Sequence, residues 1–439
     1  MKLLLFFATV VAAAQDRGPL QLSMKRAVEI ATSSEGSTQI QLSGEALQQA
    51  ELRSKEARAA LLPDVEGAFS YQNRTANLAA QGITLVHVPF PGIAFPVFVG
   101  PFDTMDARFS GTQSVFNLSS IRQYQASKAG ISAAKSDSES TSEQVAATVA
   151  RAYLAAVKAD TDVDTAQANA MLSQAVLTQA ENQKAAGTGT GIDITRARVQ
   201  LANDQQQLLV AQNNRRAAHL RLLRAMNLRL DTEVQLTDGL QYLPVDAVTL
   251  DQAKARALQE RPDFKAQQDR EANSRLSASA VALERMPSLS ALADYGSSGA
   301  GFATVLPTRT YGISLRVPIF DGARRDARRA EAASQYRAER VRTNDLKEQV
   351  ELDVRLALDE LSSAQDEVNV AKDGLALAQN ELDQARRRFQ AGVSDSLEVT
   401  DAQTRLERAR DNQTAALYNY NVSRIDLAQA MGAVRRAIP

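Results

Sequence analysis

No cysteine and no tryptophan occur among the 439 residues. The first absence excludes disulfides, thiolate metal sites and a lipid-modified N-terminal cysteine. The two histidines, His87 and His219, are far apart, which gives little support to a His-based metal or triad site. With 50 basic against 51 acidic residues the net charge is −1, so there is no global bias toward nucleic acid or acidic partners. Aromatics make up only 5% of the chain and alanine is spread throughout, which favours close helix–helix contacts over thick cores. No phosphate loop or nucleophile motif is present, so neither an enzyme nor a cofactor is expected.

Proline is absent from Asn117 to Ala186 and again from Gly322 to Ala391. Uninterrupted helices of roughly 70 residues would each be on the order of 100 Å long. In the second, Val354, Ala357, Leu361, Ala364, Val368, Ala371, Leu375, Ala378, Leu382, Ala385 and Phe389 keep 3-4 spacing. After a turn, Val399, Ala402, Leu406, Ala409, Gln413, Ala416 and Tyr420 repeat it. Two such seams predict an antiparallel coiled pair, with alanine letting the axes approach. The first helix keeps the plan less strictly, with Asp160 and Asp164 at positions where apolar residues are expected.

Four stretches alternate with period two: Val65 to Tyr71 after Pro63, Met105 to Gly111, Leu289 to Tyr295, and Tyr311 to Ile319. Each has about the 9–11 residues of a tilted membrane strand, apolar on one face and polar on the other. The alternative is a soluble four-stranded sheet packed on a helix, but nothing else in the chain is suited to cover the apolar face. Four strands cannot close a barrel when the smallest have about eight. A membrane barrel would therefore be shared between chains.

The chain also repeats itself. GIDITRARVQLANDQQ at 191–206 answers SLEVTDAQTRLERARD at 396–411, about 205 positions later, and Ala225-Met226-Asn227 answers Ala430-Met431-Gly432. Val115-Phe116-Asn117 answers Ile319-Phe320-Asp321, and Pro63 answers Pro287. The expected organisation is a first repeat at 15–229, a linker at 230–247, a second repeat at 248–433 and a tail at 434–439. Residues 1–14, MKLLLFFATVVAAA, read as a secretory signal cleaved after Ala14.

From LSMKRAVEIA at 22–31 to IDLAQAMG at 425–432 the chain resembles the outer-membrane efflux protein family, the TolC-like channels. The most specific segment is RFQAGVSDSLEVTDAQTRL, Arg388–Leu406, with its aromatic-x-x-Gly turn and acidic helix start. The resemblance implies a mainly α fold with a membrane β-barrel portion, formed by a homotrimer. Twelve strands would make the barrel and twelve helices a periplasmic tunnel. It further implies a passive exit duct in the outer membrane, in contact with outer-membrane lipid. Such a duct is reached by an inner-membrane pump of RND, ABC or MFS type through a periplasmic adaptor protein. A rival reading is a periplasmic coiled-coil scaffold or adaptor without a pore.

In the family the turns matching Gly187 and Gly392 close the entrance, and adaptors dock on them. Glu398 and Asp401, spaced i, i+3 on one helix face, match a pair of aperture aspartates. Three-fold symmetry would make them a cation-attracting carboxylate ring. The bland alternative is an acidic first turn favouring the helix dipole, worth about 0.3–1 kcal/mol per charge. Asp193 matches an acidic latch residue, but Ser394 stands where its basic partner is often found, leaving Arg196 or Arg198 as substitutes. The apolar, proline-broken loop Gly82–Phe102 is expected on the extracellular side, as a lid, a protomer contact or packing over the barrel mouth. Arg324, Arg325, Arg328, Arg329, Arg337, Arg340 and Arg342 form a solvated face or touch anionic headgroups; a nucleic-acid site is not expected.

Overall fold

A computed structural model describes residues 19–80, 97–245, 248–391, 393, 394 and 396–438. The proposed signal segment, His87 and most of the loop at 82–102 lie outside them. In chain order the elements are β1 (Leu20–Leu22), α1 (Met24–Thr32), α2 (Thr38–Ala59), β2 (Asp64–Asn77), β3 (Phe98–Phe116), α3 (Leu118–Ala185), α4 (Gly191–Ala225) and β4 (Val234–Leu236). There follow α5 (Leu250–Glu260), α6 (Pro262–Ala282), β5 (Ser288–Gly299), β6 (Leu306–Arg316), α7 (Arg324–Gln390), α8 (Ser396–Ala430) and α9 (Val434–Ala437). No described helix is long and apolar enough to cross a membrane.

The chain forms two compact units. One comprises 47–135 and 266–344 and holds an antiparallel sheet of order β2-β3-β5-β6. Its register sets Phe69 opposite Ala107, Phe109 opposite Tyr295, and Ala293 opposite Tyr311. Because side chains alternate with period two, this register gathers three of the predicted apolar stripes, and the fourth as far as Leu315, onto one face. Phe69, Phe109, Tyr295, Tyr311 and Ile313 on that face are exposed. On the opposite face Arg108 joins Asp106 and, at 3.3 Å, Asp294. Among the described residues β2 and β6 are the edges of this sheet, each with unpaired backbone groups.

Each strand abuts a helical segment, and these segments neighbour one another in the same order as the strands. Ser127 on α3 donates to Ser54 on α2 at 3.0 Å. Asn273 on α6 donates to the Ala126 carbonyl, and Gln267 on α6 to the Glu339 carboxylate on α7 at 2.9 Å. Two strand limits differ from the sequence expectation. β3 already begins at Phe98, inside the presumed loop, because β2 runs on to Asn77 and pairs with it. β6 ends at Arg316, ahead of Val317 and Ile319, where Pro318 has no N–H to give a ladder.

The other unit comprises 19–46, 136–265 and 345–438. Its largest core joins β1 and α1 (Leu22, Ala27, Val28, Ala31) to α3 (Val145 to Ala159), the end of α4 (Leu222, Leu223, Met226) and α8 (Ile425, Ala428). Tyr153 is fully buried there. Its hydroxyl donates to the Leu22 carbonyl at 2.9 Å and accepts from the Asp238 N–H, and burial pushes its pKa to about 12. The linker thus supplies β4, which pairs in parallel with β1, an element the sequence reading missed. A second core sets Ala253 and Ala257 of α5 against Val350, Val354 and Ala357 of α7. Further along the α7–α8 seam Leu382, Ala385, Val399, Ala402 and Leu406 are buried together.

Identical caps close α4 and α8. The Leu228 N–H bonds the Leu223 carbonyl and the Ala433 N–H the Ala428 carbonyl, with Asn227 at φ 57° and Gly432 at φ 72°. This is the left-handed closure that favours Gly or Asn. At Gly432 an added Cβ would also lie 2.7 Å from the Arg261 Cα. Gly432→Ala is therefore expected to lower stability by about 1–3 kcal/mol, read as a lower melting temperature by circular dichroism in detergent; an unchanged melt would count against the packing described.

Candidate functional site

The predicted site residues sit at the helix turns of the second unit. Between α3 and α4, Gly187 adopts φ 78° with open space around its Cα. The N–H groups of Thr188 and Gly189 both reach the Gln183 carbonyl, at 2.9 and 3.0 Å. Thr190 begins α4, and the Asp193 carboxylate accepts its N–H at 3.1 Å and its hydroxyl at 2.5 Å. Asp193 therefore closes the reciprocal half of a capping box, satisfying a donor that the helix start leaves free. Arg198, one of the two suggested latch partners, pairs with Glu181 at 3.1 Å.

Between α7 and α8, Gly392 lies outside the described residues. Phe389 packs against the buried seam, and Val393 is exposed. The Ser394 hydroxyl is buried with no hydrogen-bond partner. Glu398, in the first turn of α8, meets the Arg388 guanidinium on α7 at 3.0 Å. That pair is exposed and contributes no more than about 1 kcal/mol, but it ties the two legs of the hairpin at the tip. Asp401, one turn on, is exposed. One chain therefore brings Glu398 to Arg388 and leaves Asp401 facing solvent.

The sequence reading missed a polar seam farther along the hairpins. Asp204 on α4 is 1% exposed; it accepts a hydrogen bond from Ser173 on α3 and another from Gln200 at 3.0 Å. Arg410 on α8 donates to Asn169 on α3 at 3.0 Å. Beside them, Gln403 Nε2 and Glu407 Oε1 are buried without a partner. A groove of about 550 Å³ between α3, α4 and α8 is lined by Asp162, Asn169, Gln200, Glu407 and Asp411 among others. Burial, then the charges of Asp204 and Asp411, raise the Glu407 pKa to about 7, against a smaller lowering by Arg410. Burial and Asp162 also raise Asp411, against Lys158.

Asp160, an irregularity of the first seam, has partners on α4: Arg215 at 2.7 Å and the His219 ring at 2.9 Å. Burial pushes its pKa up, but His219 and Arg215 outweigh that and hold it below the usual carboxylate value. Among the described residues no group of three or more His, Cys, Asp or Glu is arranged to hold a metal ion. In sequence, Gln403, Glu407 and Arg410 read as an ordinary solvated stripe. Only the approach of α3 and α4 buries it.

An open sheet with one exposed apolar face, joined to very long helical hairpins, defines a class of membrane channel components. The chain matches the outer membrane efflux protein family over residues 33–228 and 254–433, and it belongs to that family. It is 24% identical over 309 residues to the pyoverdine export outer membrane protein OpmQ of Pseudomonas putida. That alignment covers 69% of this chain, which spans 64% of the relative's length. Two solved structures share the fold. The Campylobacter jejuni CmeC outer membrane channel has a TM-score of 0.79 at 16% identity, covering 94% of this chain and 86% of that one. The outer membrane protein VceC of Vibrio cholerae has 0.78 at 16% identity, covering 93% and 96%.

The polar seam carries a pH dependence. Glu407 is raised from 4.5 to about 7, so between those values the folded chain keeps a proton that the unfolded chain has released. Stability contributed by the protonated group is lost as pH rises across that window and changes no further above it. Glu407→Gln should raise the melting temperature at pH 8 and leave it nearly unchanged at pH 5. An equal gain at both would contradict the assignment.

Proposed function

We propose that this chain is the outer-membrane exit duct of a tripartite efflux or type I secretion assembly. It passively conducts substrates that an inner-membrane pump delivers through a periplasmic adaptor. The observation that carries the reading is the four-stranded sheet, with two free edges and one exposed apolar face. A membrane sheet must close so that no edge meets lipid. Three copies would pair β6 of each chain with β2 of the next and close twelve strands, apolar side to lipid. The duplication fits this ring: α3 and α7 have 68 and 67 residues, α4 and α8 have 35 each, and the two shorter helices end in the same cap.

The trimer brings three copies of each tip together. Glu398 and Asp401 then line the entrance, Asp193 holds the neighbouring turn, and Gly187 and Gly392 offer docking turns to the adaptor. The duct performs no bond chemistry. The pyoverdine-exporting relative supports a small-molecule cargo, with selection resting mainly in the pump. Sheet pairing in a soluble scaffold is the rival, and cell fractionation separates the two: a trimer in outer-membrane extract supports the duct, and a soluble monomer overturns it.

A ring of carboxylates in a narrow throat attracts cations. The double variant Glu398→Ala, Asp401→Ala is expected to lose cation selectivity and block by multivalent cations in planar-bilayer conductance. Unchanged selectivity would remove these residues from the aperture.

A further inference from the structure

The sheet unit carries the same order of side chains at all four of its sheet-to-helix junctions. Next to each strand end stands an exposed apolar residue: Leu62 before β2, Val115 and Phe116 at the end of β3, Met286 before β5, and Val317, Ile319 and Phe320 after β6. Ile319 and Phe320 are 94% and 88% exposed, a heavy cost if they faced water. Within about two and a half helical turns beyond each comes an exposed arginine: Arg58 on α2, Arg122 on α3, Arg285 after α6, and Arg324 and Arg329 on α7.

Many of the nearby arginines are neutralised locally. Arg285 pairs with Asp326, Arg328 with Glu284 at 2.9 Å, and Arg325 with Asp321 at 3.0 Å. Arg58, Arg122 and Arg329 have no carboxylate partner among the described residues, and Arg122 only donates to Gln125. Three of the four helical segments thus present an uncompensated guanidinium just beyond an apolar step. All four chain crossings lie at one end of the sheet, so the apolar residues and then the arginines follow one another along the chain away from that end.

We infer that these residues are a docking surface for the anionic phospholipid headgroups of a bilayer leaflet, with the apolar residues at the acyl boundary and Arg58, Arg122 and Arg329 on the lipid phosphates. The inference rests on the membrane reading of the sheet and adds where the bilayer ends and which lipid class the chain selects. Guanidinium suits this role because its fork matches phosphate oxygens while its methylene stem lies along apolar surface. The leaflet boundary then falls at the start of the helices, ahead of the deeper arginines of α7.

The natural chain contains no tryptophan, so single tryptophans report depth directly. The full mature chain, reconstituted in vesicles of phosphatidylcholine with or without phosphatidylglycerol, is tested as Tyr311→Trp, Phe320→Trp and Gln335→Trp with brominated lipids. Tyr311→Trp should lose emission to bromine deep in the acyl chains, Phe320→Trp to bromine near the headgroups, and Gln335→Trp to neither. Quenching of Tyr311→Trp with none of Phe320→Trp would overturn the boundary alone, as would a neighbouring protomer covering it. Silence of Tyr311→Trp would overturn the membrane reading beneath it. In native mass spectrometry the wild-type chain should retain phosphatidylglycerol over phosphatidylcholine. That preference should fall about fivefold with each of Arg58→Gln, Arg122→Gln and Arg329→Gln, and in the wild type it should fall as salt rises. Equal retention of both lipids by the wild-type chain would overturn the headgroup assignment whatever the variants do.

Discussion

The controlling constraint is that every strand of the sheet must pass its chain to a helix without leaving buried backbone groups unpaired. The register of β2, β3, β5 and β6 therefore orders more than the sheet: α2, α3, α6 and α7 follow the same sequence of neighbours. One register also decides the chemistry of two surfaces. It stacks Val65, Phe69, Phe109, Tyr295 and Ile313 on one side and the Arg108–Asp294 pair on the other. A slip of a single residue would interleave the two and leave neither lipid nor water a suitable face.

In the helical hairpins a second constraint operates, the small size of alanine. Ala357, Ala364, Ala378, Ala385 and Ala402 are buried at seam positions, where they allow close axes but supply little apolar area each. Larger anchors make up the difference where several elements meet, as at Tyr153 and Tyr420. The Tyr420 hydroxyl donates to the Leu243 carbonyl and so straps the linker to α8. On the tip side of both anchors the contact becomes polar, with Asp204, Gln403 and Glu407 enclosed. Polar groups left there without partners weaken the packing, because burial removes the water that would have satisfied them.

The turn carboxylates show how one residue type serves two ends. Asp193 caps α4 and Glu398 reaches Arg388, so both have local structural work independent of any neighbour. That work does not conflict with the entrance role proposed for them, since a capped, tethered tip holds its charges in a defined position. Arg198, chosen on sequence as a candidate latch partner, pairs with Glu181 within the single chain, because the antiparallel hairpin brings that carboxylate alongside.

Sequence alone determined the elements with a long regular period: α3, α7, α8 and three of the four apolar stripes lie where their spacing put them, and the fourth does so as far as Leu315. Periodicity is a local property, and these segments are long enough for it to dominate. Tertiary structure decided what depends on a distant neighbour. β4 is only three residues long and exists because β1, more than two hundred positions away, pairs with it. β3 begins at Phe98 because Asn77 lies opposite. Glu407 and Asp411 look like solvated helix residues until α3 and α4 close over them and remove the water that would have stabilised their charge. Burial and pairing are relations between segments, and a single segment's composition does not contain them.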